Sequence, residues 1–140
     1  GRASDECNGF MVLPHPNGFT KCTHEWTVKY VENKGDGEWS YKSIGVVSYI
    51  EHEWTLKSIG SSPWPSDKHG SHWDGFGNWN EKETIHVVAD LKICKIKYYK
   101  MERKGKKKIL LKEDKLTPGE RYYFALCCDG DKNCVVFESV

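Results

Sequence analysis

The chain has 140 residues, of which 38% are hydrophobic and 29% are charged, and its formal net charge is +1 at pH 7. These values are typical of a globular protein that buries a core, so we expect a single domain over residues 1–140. No run approaches roughly 18 apolar residues, which argues against a helical membrane span, and we expect that any targeting segment has been removed ahead of Gly1.

The first predicted strand is EWTVKYVE at 25–32, where large apolar residues alternate with more polar ones. This period of two is typical of a half-buried strand, and the following NKGDG is a turn signal. The next segment, 38–60, is rich in β-branched and aromatic residues and contains the related octapeptides EWSYKSIG and EWTLKSIG. We interpret the two octapeptides as two strands of one sheet.

The second half of the chain also predicts strands. Residues 84–101 could supply two strands or one long bent strand, and 102–108 has the pattern of a hairpin turn around its glycine. RYYFALCC (121–128) and CVVFESV (134–140) predict a last hairpin, because the DGDKN between them contains the Asp-Gly pair of tight turns. The chain therefore predicts an all-β fold, an antiparallel β-sandwich that is immunoglobulin-like or barrel-like.

One segment carries a family resemblance. LTPGERYYFAL at 116–126 resembles the tyrosine corner of fibronectin type III and related immunoglobulin-like domains, L-x-P-G-x-x-Y-x-F-x-V. The residues that fill the pattern are Leu116, Pro118, Gly119, Tyr122, Phe124 and Leu126. The resemblance implies a corner in which the leucine and the tyrosine fix the chain before a central strand. It supports a β-sandwich and carries no function with it.

The six cysteines indicate disulfide bonds and an oxidising compartment. Their spacing lacks the C-x2-C or C-x4-C pairs of zinc fingers, so we expect three disulfides, no metal and no cofactor. Adjacent cysteines on a strand point to opposite faces, so Cys127 and Cys128 should have different surroundings. Six cysteines allow many connectivities. The set that we predict is Cys7–Cys22, Cys94–Cys127 and Cys128–Cys134.

The aperiodic run PWPSDKHGSHWDGFGNWN at 63–80 is the first candidate binding site. Its glycines and prolines interrupt regular structure, so it predicts a surface loop. Either its tryptophans fold back on the core, or the loop presents them to a partner; we predict that at least one of Trp64, Trp73 and Trp79 is substantially exposed. The candidate ligand-binding residues are Trp64, His69, His72, Trp73, Asp74, Phe76 and Trp79.

The basic hairpin is the second candidate site. Ten lysines or arginines and one acid lie between Lys92 and Lys112, so the rest of the chain is acidic. Such clusters are typical of polyanion-binding patches, although lysines also protect the edge of a sheet from unwanted pairing. Because lysine dominates, any binding should be diffuse and screened by salt. The candidate residues are Arg103, Lys104, Lys106, Lys107 and Lys108.

A secreted binding protein is the function that this composition favours. Six tryptophans and seven tyrosines exceed what one core needs, and aromatic residues concentrate at interfaces. We expect a partner that is a protein or a glycan on a host or neighbouring cell surface, and a role as effector or immune modulator of a pathogen or parasite.

Two alternatives remain open. A carbohydrate-binding module would use the same aromatic rings to stack on sugars. A nuclease-like hydrolase would use a histidine with a second histidine or a glutamate as acid and base. Its candidate residues are His24, Glu51, His52, Glu53, His69, His72 and His86. Since no catalytic motif occurs in the chain, we expect a protein that is not an enzyme.

Overall fold

The computed structural model describes residues 3–7, 11–12, 17–36, 41–48, 70–102, 105–128 and 134–140. Within these residues every regular element is a β-strand, as the sequence predicts. In chain order the strands are β1 (Ala3–Cys7), β2 (Met11–Val12), β3 (Thr23–Asn33), β4 (Lys42–Val47), β5 (Gly70–Asp74), β6 (Thr84–Asp90), β7 (Lys95–Glu102), β8 (Lys107–Lys115), β9 (Tyr123–Cys128) and β10 (Val135–Ser139).

The strands form two antiparallel sheets that pack on one core. The large sheet has the order β1-β10-β3-β6-β7-β8, and the small sheet has the order β2-β9-β4-β5. Trp26 of the large sheet lies 5.8 Å from Phe124 of the small sheet, measured between ring centroids. Burial of such aromatic side chains between two apolar faces stabilises the sandwich, so the predicted all-β, antiparallel architecture is confirmed.

Strand β3 shows why the alternating pattern is informative. Trp26, Val28 and Tyr30 are all less than 10% exposed, whereas the residues between them are more accessible. Successive side chains of a strand point to opposite faces, so this period places one set in the core. The predicted strand at 25–32 is confirmed and is slightly longer at both ends.

The segment at 84–101 forms two strands rather than one bent strand. Strands β6 and β7 are joined by a turn at 91–94, with Asp90 paired to Lys95. Cys94 closes the turn with a φ of 52°, and the Asp90 side chain accepts a hydrogen bond from the Lys92 amide at 3.0 Å. The next predicted hairpin, β7–β8, is also present, with Gly105 at a φ of 86° between the strands.

The predicted last hairpin is wrong. Strand β9 pairs with β2 and β4 in the small sheet, whereas β10 pairs with β1 and β3 in the large sheet. The two strands therefore belong to opposite layers. An Asp-Gly pair is a local signal that the chain turns, and it does not determine which sheet receives the next strand. Residues 129–133, which lie between the two strands, are outside the described residues.

The predicted disulfide pairing is also wrong. One disulfide joins Cys7 of β1 to Cys128 of β9, with a Cα–Cα distance of 6.1 Å, and it links the two sheets. Cys7 and Cys128 are therefore not available for the predicted partners, and Cys94 is not bonded to Cys127. The free thiols are Cys22, Cys94, Cys127 and Cys134.

The prediction that neighbouring cysteines face opposite ways is correct. Cys128 lies in the main core beside Cys7, while Cys127 packs against Val47 and Ala125 in a separate buried cluster. This second cluster is on the outer side of the small sheet. A thiol there cannot reach Cys94, which lies at the end of β6–β7 in the other layer, and this is the physical reason why the predicted Cys94–Cys127 bond does not form.

The tyrosine-corner segment has the local geometry that its sequence implies. The Tyr122 hydroxyl accepts a hydrogen bond from the Thr117 amide at 2.7 Å and lies 3.4 Å from the Thr117 carbonyl oxygen. Leu116 is 6% exposed. The phenol thereby fixes the chain as it enters β9.

Candidate functional site

Part of the predicted surface loop at 63–80 is a strand. Residues Gly70–Asp74 form β5, which pairs with β4 so that Ile44 lies opposite Trp73 and Gly45 lies opposite His72. The two strands approach very closely, because a Cβ added at Gly45 would collide with the backbone of β5. Gly70 was interpreted in the sequence as an interruption, whereas it begins β5, where a Cβ would collide with the backbone of Val46, and so it permits close strand pairing.

The described tryptophans of this segment are buried. Trp73 is 9% exposed and Trp79 is 2% exposed. The Trp79 ring lies 5.3 Å from Phe137 in the core, and its indole N–H donates to the Glu83 carbonyl at 3.0 Å. Of the two alternatives for these tryptophans, folding back on the core is therefore correct for Trp73 and Trp79. Trp64 and His69 lie outside the described residues, so exposure of Trp64 stays a prediction.

Among the described residues of the segment, the exposed aromatic side chain is that of Phe76. It is 40% exposed, and its ring stacks on Tyr41 with the centroids 4.3 Å apart and the planes at 20°. Asp74 is exposed beside it and accepts a hydrogen bond from the Phe76 amide at 2.9 Å. We define the aromatic tip as Tyr41, Asp74, Phe76 and Asn78.

Backbone hydrogen bonds fix the turn that carries the aromatic tip. The Gly75 carbonyl accepts from the amides of Asn78 and Trp79, each at 2.9 Å, and the Gly75 amide donates to the Lys42 carbonyl at 2.7 Å. Gly77 has a φ of 74°, a conformation that favours glycine. The turn is therefore attached to β4 on one side and to the buried Trp79 on the other.

A lysine supports the same turn from the large sheet. The Lys100 ammonium donates to the Asn78 carbonyl at 2.6 Å and lies 3.3 Å from a carboxylate oxygen of Glu83. The other carboxylate oxygen of Glu83 accepts from the Asn80 amide at 2.7 Å. The aromatic tip is thus held in one conformation before any partner arrives, which lowers the entropic cost of binding.

His72 and Asp74 lie on the same face of β5, since they are two residues apart. His72 is half-buried, and its carbonyl accepts a hydrogen bond from the Lys112 ammonium at 2.6 Å. Among the described residues there is no group of three histidine, cysteine or acidic side chains that could hold a metal ion. The pair contributes polar groups beside the aromatic tip.

The described lysines of the basic hairpin present positive charge without acidic partners. Lys106, Lys107 and Lys108 are exposed, and none of the three forms an ion pair with any residue that the structure describes. The Lys108 ammonium lies 5.2 Å from the centroid of the Tyr99 ring. Arg103 and Lys104 are outside the described residues.

The nuclease candidates do not converge. His86 on the outer face of the large sheet contacts Glu25, with the imidazole Nε2 and a carboxylate oxygen 2.9 Å apart. Burial lowers the pKa of His86, the nearby Lys108 charge lowers it further, and Glu25 opposes both effects. His24 instead lies on the inner side of β3, stacked on Phe19 with the centroids 4.4 Å apart. Three more candidates, Glu51, His52 and Glu53, are outside the described residues.

Two contacts were missing from the sequence predictions. Tyr41 was not named as a partner of Phe76, and Glu25 was not named as a partner of His86. The Glu25–His86 contact depends on strand register, which pairs Thr27 with His86 and places Glu25 next to it. Sequence alternation identified the outward positions but not their neighbours across the sheet.

Two grooves are lined mainly by residues of the large sheet, and the first of them also borders Gly70 of the small sheet. Neither has an aromatic ring in its lining, so neither offers the stacking platform of a sugar site. The first, of about 590 Å³, is lined by Gly70, Lys95, Lys112, Glu113, Asp114 and Lys115. The second, of about 520 Å³, is lined by Thr27, Lys29, Lys82, Thr84, Met101, Gly105, Glu138 and Val140.

Across the described residues the structure contains no helix of the length and apolarity needed to cross a membrane.

Comparison with known proteins gives a likeness in fold. No protein-family model matches the chain, and no curated protein matches its sequence. Among solved structures, stonustoxin superposes with a TM-score of 0.59 at 11% identity, over 93% of this chain and 20% of that chain. The human HERC1 SPRY domain gives 0.53 at 14% identity, over 94% and 88%, and the TRIM65 PSpry domain gives 0.59 at 12%, over 91% and 67%.

These neighbours are of SPRY and stonustoxin type rather than of fibronectin type III or immunoglobulin type. The chain spans about a fifth of the stonustoxin chain and most of the HERC1 domain. At such low identity the likeness concerns the fold alone. The polypeptide therefore folds as a β-sandwich similar to SPRY domains.

Proposed function

We propose that this chain is a binding domain that recognises a protein partner through the aromatic tip. The observation that carries the proposal is the exposed ring of Phe76, which stacks on the half-buried Tyr41 and lies on a turn whose backbone is already fixed. Aromatic residues that protrude from rigid supports are typical binding hot spots. The likeness to SPRY domains supports a role in protein–protein interaction.

A protein partner fits the tip better than a glycan does. Phe76 and Tyr41 already cover one face of each other's rings, which reduces the area available to a sugar ring. The exposed part of Phe76 instead suits insertion into an apolar pocket, with Asp74 beside it for a hydrogen bond. Carbohydrate binding is the alternative, and the experiments below distinguish it from protein binding.

Photo-crosslinking at residue 76 tests the proposal. A photoreactive phenylalanine replaces Phe76, and a matched control protein carries it at Ile93, which is also apolar and is 58% exposed on a different turn. We expect a discrete protein adduct from residue 76, and unlabelled wild-type protein should prevent its formation by competition. Phe76→Ala should compete at least about tenfold less well, as expected for loss of a hot spot. Equal adducts from both positions would contradict a specific tip.

A glycan array separates the alternative. We expect that no glycan on the array binds through the aromatic tip. Binding through the tip would be recognised because Phe76→Ala abolishes it without changing the thermal unfolding midpoint. A glycan that binds in this way, without a protein adduct, would favour the carbohydrate-binding module.

The Cys7–Cys128 disulfide supports secretion, since disulfides persist in oxidising compartments. A role in a pathogen or parasite stays a prediction. We do not include catalysis in the proposal, because Glu25 and His86 are engaged with each other and His24 lies on the other side of β3.

A further inference from the structure

Strand β8 is an outer strand of the large sheet. It pairs with β7 on one side, and no described strand pairs with its other side. An outer strand presents unpaired backbone N–H and C=O groups along its free side. Residues 107–110 are all exposed, including Ile109 at 37% and Leu110 at 53%.

The second half of β8 is closed by contacts with β5. The Lys112 ammonium donates to the His72 carbonyl at 2.6 Å, and Asp114 accepts from the Ser71 hydroxyl at 2.7 Å. Leu111, where the pairing with β7 shifts register, is partly buried against the core. The accessible part of the strand is therefore residues 107–110, which we call the open edge.

The charge around the open edge selects against a second copy of the chain. Lys106, Lys107 and Lys108 form no ion pair with described residues, so two copies paired along this edge would bring like charges together. The next acidic residues along the strand are already engaged, since Glu113 lies 3.6 Å from Lys97 and Asp114 bonds Ser71. The same lysines attract a strand that carries carboxylates.

We propose that the open edge binds an acidic, extended segment of a partner protein by strand addition. Backbone hydrogen bonds to residues 107–110 would extend the large sheet, and Lys107 and Lys108 would meet carboxylates of the added strand. Ile109 and Leu110 are consecutive and so lie on opposite faces, where each can contact an apolar residue of the incoming segment. This surface lies outside the aromatic tip, and the inference does not depend on the function proposed for that tip.

The probe is a fluorescent peptide of eight residues in which two glutamates alternate with two valines, so that each face of the added strand carries both residue types. Its control has the same sequence with N-methyl groups on every residue, which keep the charge and remove the backbone donors on both sides of the strand. We expect saturable binding by fluorescence anisotropy, and at least about tenfold weaker binding of the N-methylated peptide if pairing carries the affinity. Amide hydrogen exchange of residues 107–110 should slow when the unmodified peptide binds.

Charge reversal tests the role of the lysines. Lys107→Glu combined with Lys108→Glu should weaken binding of the acidic peptide at least about tenfold, because attraction becomes repulsion. The matched control is Lys21→Glu with Lys92→Glu, two exposed lysines at the other end of the sheet, which keeps the total charge equal. Circular dichroism establishes that both double variants fold.

Several outcomes would overturn the inference. If both peptides bind equally, or if heparin displaces them without any change in exchange at 107–110, the hairpin attracts polyanions diffusely. Protection of these amides in a dimer of the free protein would show that a second copy occupies the edge. Absence of binding by the unmodified peptide would refute the inference outright. Since none of these measurements involves residue 76, they succeed or fail independently of the crosslinking experiment.

Discussion

The hydroxyl groups of Ser71 and Tyr98 lie 2.9 Å apart at the line where the two sheets meet. Ser71 also donates to Asp114 at 2.7 Å, and Asp114 lies 3.2 Å from the Lys112 ammonium. Because the single hydrogen of Ser71 points to the carboxylate, the Tyr98 hydroxyl must donate to Ser71. Both residues are at most 2% exposed, so a buried polar chain joins β5 to β7 and β8.

The first prediction concerns this chain. Tyr98→Phe and Ser71→Ala should each lower the free energy of unfolding by about 1–2 kcal/mol, because each removes a hydrogen bond between buried hydroxyl groups. The double variant should lose less than the sum, with a coupling of roughly 0.5–1 kcal/mol or more. Urea unfolding of the four proteins measures the coupling. Strict additivity would show that the two hydroxyls act separately.

The second prediction concerns the close pairing of β4 and β5. Gly45→Ala should destabilise the protein by about 1–3 kcal/mol, because the new methyl group would collide with the Ser71 carbonyl and force the strands apart. Ser43→Ala on the same strand is the control. Its buried hydroxyl has no hydrogen-bond partner, so its removal should be neutral or stabilising. Thermal unfolding compares the two, and equal effects would contradict the steric explanation.

The third prediction follows from His86. Its folded-state pKa is lowered from 6.5 by burial and by Lys108. The unfolded chain therefore takes up this proton at higher pH than the folded protein, so the contribution to stability is complete above about pH 6.5 and is lost as the pH falls toward the folded pKa. Unfolding free energies measured at several pH values should decline less steeply over this window in His86→Gln.

Lys108→Gln provides the matched variant for the pH experiment. Removing the ammonium should raise the pKa of His86 toward its ordinary value and flatten the same part of the stability curve, while the imidazole remains. If the free energy of unfolding of both variants falls below about pH 6.5 as steeply as that of the wild type, burial of His86 does not control the loss of stability in acid.

The fourth prediction concerns the thiols. Alkylation in denaturant without a reductant should modify four cysteines, and after reduction it should modify all six. In the native protein Cys22 should react first because it is exposed, whereas Cys127 should resist, since burial raises the pKa of its thiol to about 12. Intact mass and peptide mapping give both results. An absence of alkylation before reduction would instead restore a framework of three disulfides.

The sequence predicts strands well where one face is apolar. In β3 the alternation of Trp26, Val28 and Tyr30 is sufficient, because one face meets the core and the other meets solvent. In β5 the same reasoning fails. Its five residues include a glycine, a serine and a histidine, which do not predict a strand. They form one because they pair with β4, at a close distance that only glycine permits.

The candidate site likewise contains some residues whose exposure the sequence predicts and others for which it does not. Phe76 and Asp74 are named from composition and are exposed at the tip. Trp73 and Trp79 occur in the same run but are drawn into the core, and nothing local distinguishes them from Phe76. Disulfide pairing fails for a related reason, because Cys7 and Cys128 are 121 residues apart and only the packing of two sheets brings them together.

The position of β10 has a consequence for the order in which the fold can form. This strand lies between β1 and β3, so among the described strands the earliest in the chain is joined to the rest of its sheet through the latest. During synthesis β1 therefore lacks its described partner in that sheet until residues 135–139 have left the ribosome. Pairing of strands so far apart in the chain gives a high contact order, which favours slow folding.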